Sequence, residues 1–115
     1  MNRIENRQAR LANVNLRKAL ELEHNCRIDI RVREDEGTFP ESSDEAPIIE
    51  RLAQGDTWAW CIVSVCAVDD TDPRLIGVDT LAGCSYKSEN HFIACDYFKD
   101  MMHLSIANLR AIRGE

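Results

Sequence analysis

Residues 57–68, Thr-Trp-Ala-Trp-Cys-Ile-Val-Ser-Val-Cys-Ala-Val, constrain the fold more than any other stretch. The run is rich in aromatic and β-branched residues, which suit a pleated strand. A strand alternates its side chains between two faces, and here both faces are apolar. Trp58, Trp60, Ile62, Cys66 and Val68 fall on one, and Ala59, Cys61, Val63, Val65 and Ala67 on the other. Such a strand is central and covered on both sides, or is half covered by something outside the chain. The rest of the sequence must supply its neighbours.

Two neighbours are legible. Asp69-Asp70-Thr71-Asp72-Pro73 reads as a turn, after which Arg74 to Leu81 returns as an antiparallel strand; Gly77 and Gly83 mark a bulge or a close backbone approach. Upstream, Cys26, Ile28, Ile30 and Val32 alternate with Arg27, Asp29, Arg31 and Arg33, the period of a half-buried strand with one wet face. Helices fill the remainder. Asn2 to Glu23 lacks Gly and Pro and carries a stripe of Leu11, Ala12, Leu16, Ala19 and Leu20, with His24-Asn25 as the stop. Ser43 or Asp44 caps a short helix with Pro47 in its first turn, Ile48, Ile49 and Leu52 on its buried side and Gly55 as terminator. Ser88 caps a last helix in which Phe92, Cys95, Phe98, Met102, Ile106, Leu109 and Ile112 step by three and four, ending at Gly114.

The order α-β-α-β-β-α predicts an α+β fold: a three-stranded, mainly antiparallel sheet packed against two long helices, with the short helix at an edge. At 115 residues, this is one domain spanning 1–115. No apolar run is long enough to cross a bilayer, and no apolar core of a signal peptide follows the first charges. The expectation is a cytoplasmic protein with no membrane partner. The five cysteines are odd in number and form no C-x-x-C pair, and so read as reduced thiols packed as small hydrophobes.

Charge is unevenly placed. Net charge is −6, residues 1–33 carry eight basic and four acidic groups, and residues 34–56 carry one basic and eight acidic. Direct nucleic-acid binding is not expected, because neutralising phosphates needs clustered Lys and Arg. The α-β-β-β-α order of double-stranded RNA-binding domains resembles this one with a helix inserted, but the last helix does not open on a Lys cluster. An acidic loop from Glu34 to Glu50 suits a basic protein surface, with Glu34, Asp35, Glu36, Asp44 and Glu45 as candidate contacts; otherwise it is a solvated connection.

Other features supply competing sites. If the helices cover the Ala59/Cys61/Val63/Val65 face, the Trp58/Trp60 face is left partly exposed for a partner or for a homodimer; if the first helix covers it, both rings are core. Cys84, Ser85, Tyr86, Lys87 and Ser88 lead into a helix N-terminus, where a nucleotide or another phosphorylated signal would bind. Asp69, Asp70 and Asp72 lack the Gly and distal Glu of a calcium loop, so no metal site is expected, and no cofactor. Cys84 and His91 have no third orienting group in view, so no catalytic set is assigned and the chain reads as a non-enzyme.

The strings GDTWAWCIVSV, LAGCSYKSENHF and CDYFKDM resemble a group of small phage-type and bacterial accessory proteins with a tryptophan strand, a Gly-Cys-Ser-Tyr turn and a closing helix. The resemblance covers residues 55 to 102 and brings no catalytic residue or ligand. It implies a virus-borne accessory factor, of the kind that binds and blocks a host protein or ribonucleoprotein, in the manner of anti-CRISPR inhibitors. Together with the charge placement, it sets the functional expectation: a protein-interaction inhibitor acting through an acidic surface. The alternative is a binder that sequesters a nucleotide signal at Cys84–Ser88.

Overall fold

The computed structural model describes residues 3–38 and 45–115. Their order is α1 (Arg3–His24), β1 (Cys26–Glu34), α2 (Glu45–Ala53), a short 3₁₀ turn (Thr57–Ala59), β2 (Cys61–Asp69), β3 (Ile76–Cys84), α3 (Glu89–Ile93) and α4 (Asp96–Ile112). The three strands form one antiparallel sheet in the order β1-β2-β3. The fold is α+β, as the sequence predicts. Ser43 and Asp44, the predicted cap of α2, lie outside the described residues.

Helix α1 stops where Asn25 turns left-handed at φ 52°, a conformation that Asn tolerates better than most side chains. The stop lets β1 run back along β2, pairing Ile28 with Ala67, Ile30 with Val65 and Val32 with Val63. Val63, Val65 and Ala67 are completely buried on this side, beneath Phe92, Phe98, Met102 and Leu109. Helix α4 lies across β3 and β2. Gly77 sets its distance: a Cβ there would stand 2.0 Å from the Ser105 carbonyl oxygen and 2.4 Å from the Leu109 amide nitrogen. Helix backbone therefore rests directly on strand backbone, the close approach that the glycine foreshadows.

Helix α1 docks differently from its predicted stripe. Leu20 is buried and Leu16 half-buried, but Leu11, Ala12 and Ala19 are exposed. The inward side is instead fastened by polar groups. Glu21 accepts from the Ile28 amide at 2.7 Å, Arg17 donates to the Ile28 carbonyl, and Asn13 donates to the carbonyls of Ile93 at 2.7 Å and Cys95 at 3.2 Å. The helix satisfies the Ile28 amide and carbonyl on the outer edge of β1, where no strand is present to pair them.

At the C-terminal end of α1, Arg113 joins three elements. Its guanidinium pairs with Asp69 at 2.7 Å and donates to the carbonyls of His24 at 2.7 Å and Asn25 at 2.9 Å. Asp69 also accepts from the Thr71 hydroxyl and from the amides of Thr71 and Asp72, closing the β2–β3 turn. These donors hold its carboxyl well below the usual carboxylate range, the Thr71 hydroxyl contributing most. The predicted last helix is broken in two, because α3 ends at Ile93 and a new turn begins at Asp96.

Candidate functional site

The tryptophans do not share a strand face. Asp56 caps the 3₁₀ turn by accepting from the Trp58 amide at 3.2 Å, so β2 begins at Cys61 rather than Thr57. The turn sends the two rings to different places. Trp58 packs against the core, with its ring centroid 5.7 Å from that of Phe92 and 6.2 Å from that of Tyr86. Trp60 lies over Gly83 and donates from Nε1 to the Thr38 carbonyl at 3.1 Å and the Thr38 hydroxyl at 3.2 Å. The two rings therefore do not form one shared patch: Trp58, half-buried, serves the core, and Trp60, also half-buried, clamps a loop. Two of the other three apolar residues of that face are covered. Cys66 and Val68 are buried, paired across the sheet with Asp29 and Arg27, and Ile62 is half-buried.

Among the acidic candidates, Asp35 is also corrected. It is buried, and its carboxylate accepts from the Thr38 hydroxyl at 2.7 Å, the Gly83 amide at 2.9 Å and the Gly37 amide at 3.0 Å. The Thr38 hydroxyl, with the two amides, holds it below its ordinary pKa against the opposing effect of burial. Asp35 is thus an internal anchor and is not available to a partner. Glu34, Glu36 and Glu45 are exposed, and Asp44 lies outside the described residues.

Helix α2 was expected to bury Ile48, Ile49 and Leu52. It buries none of its nine residues: Ile48 and Leu52 are half-buried, and Ile49 is 53% exposed, with Glu50 following it and Glu45 one turn before it, both exposed. Arg51 holds the helix, pairing with Asp56 at 2.8 Å and donating to the Tyr86 carbonyl at 2.6 Å. The loop after β1 and α2 both attach to the segment 57–60, since the Asp35 amide donates to the Trp60 carbonyl and α2 packs on the 3₁₀ turn. One end of the molecule thus displays Glu34, Glu36, Glu45, Ile49 and Glu50.

The Cys84–Ser88 segment splits its side chains. Ser85, Lys87 and Ser88 are exposed, whereas Cys84 and Tyr86 turn inward onto the core. Ser88 caps α3 by accepting from the His91 amide at 3.3 Å, and α3 has only five residues, one of them Glu89. Tyr86 packs edge-on against Phe92 at 5.1 Å, and burial, with Cys95 beside it, raises its pKa.

A pair missed in the sequence lies here. Cys61 and Cys84 face each other across β2 and β3, their sulfurs 3.7 Å apart. Cys61 is buried and Cys84 half-buried. The available signal was Gly83, whose marking of a bulge implies a shift of register at Cys84.

Compared with known protein families, curated proteins and solved structures, the chain finds no match in any of the three. Among the described residues no helix is long and apolar enough to cross a membrane.

Proposed function

We propose that the protein is a non-enzymatic interaction module that docks its acidic end on a basic surface of a partner protein or ribonucleoprotein. The same proposal takes its biological setting from the resemblance of residues 55–102: a phage-borne inhibitor of a host defence complex. One observation supports the reading above the rest. Helix α2 is pinned in place by Arg51 yet contributes no buried residue, so its outer surface, with Ile49 next to Glu45 and Glu50, is what it offers. An apolar centre inside a charged rim is the usual anatomy of a docking patch. Glu34 and Glu36 extend the negative field that would steer a basic partner.

Co-purification of the tagged protein with candidate host effectors tests the reading. In a complex found that way, the variant carrying Glu36→Lys, Glu45→Lys and Glu50→Lys is expected to associate on the order of tenfold more slowly at low salt. Ile49→Asp is expected to speed dissociation. A complex indifferent to both variants at low ionic strength would overturn the acidic-end reading. Thermal shift against a nucleotide panel addresses the alternative ligand site at Cys84–Ser88, which a flat response removes.

A further inference from the structure

We propose that Cys61 and Cys84 form a thiol–disulfide exchange site acting on low-molecular-weight disulfides, with Cys84 as the attacking sulfur and Cys61 as the resolving one. The site is built by the strand register. From Ser64–Thr80 and Val63–Leu81 the β2–β3 ladder runs without a gap, and continued unchanged it would set Cys61 opposite Gly83. An extra residue in β3 moves Cys84 into that place instead. Gly83 makes the bulge possible with its left-handed φ of +61°, and its amide is held by the buried Asp35 carboxylate at 2.9 Å. Directly opposed residues of an antiparallel pair have Cα atoms within the span of a disulfide, and the two sulfurs already stand 3.7 Å apart.

The two sulfurs are unequal. Cys84 is the less covered of the two, half-buried where Cys61 is fully buried. The Cys84 thiol, which donates to the Cys61 carbonyl at 3.3 Å, is held below its ordinary pKa by its contact with the Cys61 sulfur and by the amides of Val63 and of Cys84 itself, against the effect of burial. The Cys61 thiol is pushed up by the neighbouring Cys84 and then by burial. Once Cys84 is capped its negative charge is gone, and that pressure on Cys61 is relieved. Cys26 and Cys66 are buried with raised thiols and face no such partner.

The chemistry balances as two displacements. The Cys84 thiolate attacks one sulfur of R–S–S–R, forming the mixed disulfide Cys84–S–S–R and releasing R–S⁻, which takes up a proton. Cys61 then loses its proton to solvent and attacks the Cys84 sulfur. The Cys61–Cys84 disulfide forms and the second R–S⁻ leaves and is protonated. Two electrons pass from the cysteine pair to the small disulfide, which departs as two thiols.

Incubation of the full chain with oxidised glutathione, followed by acid quenching and non-reducing peptide mapping, tests the assignment. Wild type is expected to give a Cys61–Cys84 link. Cys61→Ser is expected to stop at glutathione on Cys84, Cys84→Ser to lose the reaction, and Cys95→Ser to behave as wild type. Far-UV circular dichroism on each variant separates lost chemistry from lost fold. Glutathione distributed evenly over the cysteines, a link to Cys95 in place of Cys61, or a folded Cys61→Ser variant without the mixed disulfide would each overturn the proposal. None of these outcomes depends on the acidic end.

Discussion

Replacing Gly77 by alanine adds one methyl group where β3 meets α4. The new carbon would stand 2.0 Å from the Ser105 carbonyl oxygen, 2.4 Å from the Leu109 amide nitrogen and 2.9 Å from the Leu109 Cα. All three are backbone atoms, so no rotamer change makes room. An unstrained C···O contact needs about 3.3 Å, so α4 must retreat by roughly 1.3 Å. A gap approaching 1 Å forfeits about half of the dispersion attraction across it. The helix buries Phe98, Met101, Met102, Ile106 and Leu109, so the loss is spread over much of the core. Overpacking of this kind costs about 1–3 kcal/mol. The stiffer unfolded chain of an alanine variant offsets this by about 0.4–1 kcal/mol. With the retreat of α4 added to the clash, the expected net loss is about 2 kcal/mol, or roughly 8 °C in Tm for a chain of this size. Equilibrium urea unfolding reads it as a lower midpoint at unchanged slope. Gly55→Ala is the control, because Gly55 has φ +84° but nothing within 4 Å of an added carbon, leaving conformational strain alone. A Gly77→Ala midpoint within about 0.5 kcal/mol of wild type would refute the close packing of α4 on β3.

Two further outcomes follow from the polar anchors. Asp69 and Asp35 both have carboxyls held below their unfolded value, so the unfolded state takes up protons first as pH falls. The stability they add is complete above about pH 5 and is lost progressively below roughly pH 4. Urea midpoints between pH 7 and pH 2.5 should fall steeply in wild type and less steeply in Asp69→Asn; parallel curves would sink the assignment. Asn13→Ala leaves the Ile93 and Cys95 carbonyls without the donor that ties α1 to the α3–α4 break. A loss of about 1–3 kcal/mol is expected, with amide exchange rising first in α1, and an unaffected α1 would contradict the anchor.

Much of the fold was legible because its signals are local. Alternation in Cys26–Val32, the turn at Asp69–Pro73 and the stepping of Phe98, Met102, Ile106 and Leu109 each follow from periodicity. Gly77 and Gly83 were recognisable as a close approach or a bulge, and they are one of each. The failures lie where a long-range contact overrides the pattern. Trp58 and Trp60 fit a strand by alternation, but Asp56 caps a turn there and the rings find Phe92 and Thr38, both distant in sequence. Asp35 looks like one more acid of a charged loop until Gly83, 48 residues later, donates to it. The stripe of α1 was misplaced because helix periodicity shows where apolar residues gather, whereas this helix is aimed by what the edge of β1 needs from Arg17 and Glu21.

The guanidinium of Arg113 also bears on how the molecule is assembled. Its bonds to His24 and Asn25 span 89 and 88 residues, and its pair with Asp69 spans 44. The His24 carbonyl, the last of the first helix, therefore meets this donor long after it is made. On a ribosome, the Asp70 amide can reach the Asn25 carbonyl first, and the Arg113 bonds follow once residue 113 has cleared the exit tunnel. Closure of this junction by Arg113 is a late event by geometry, since the loop it closes spans 89 residues.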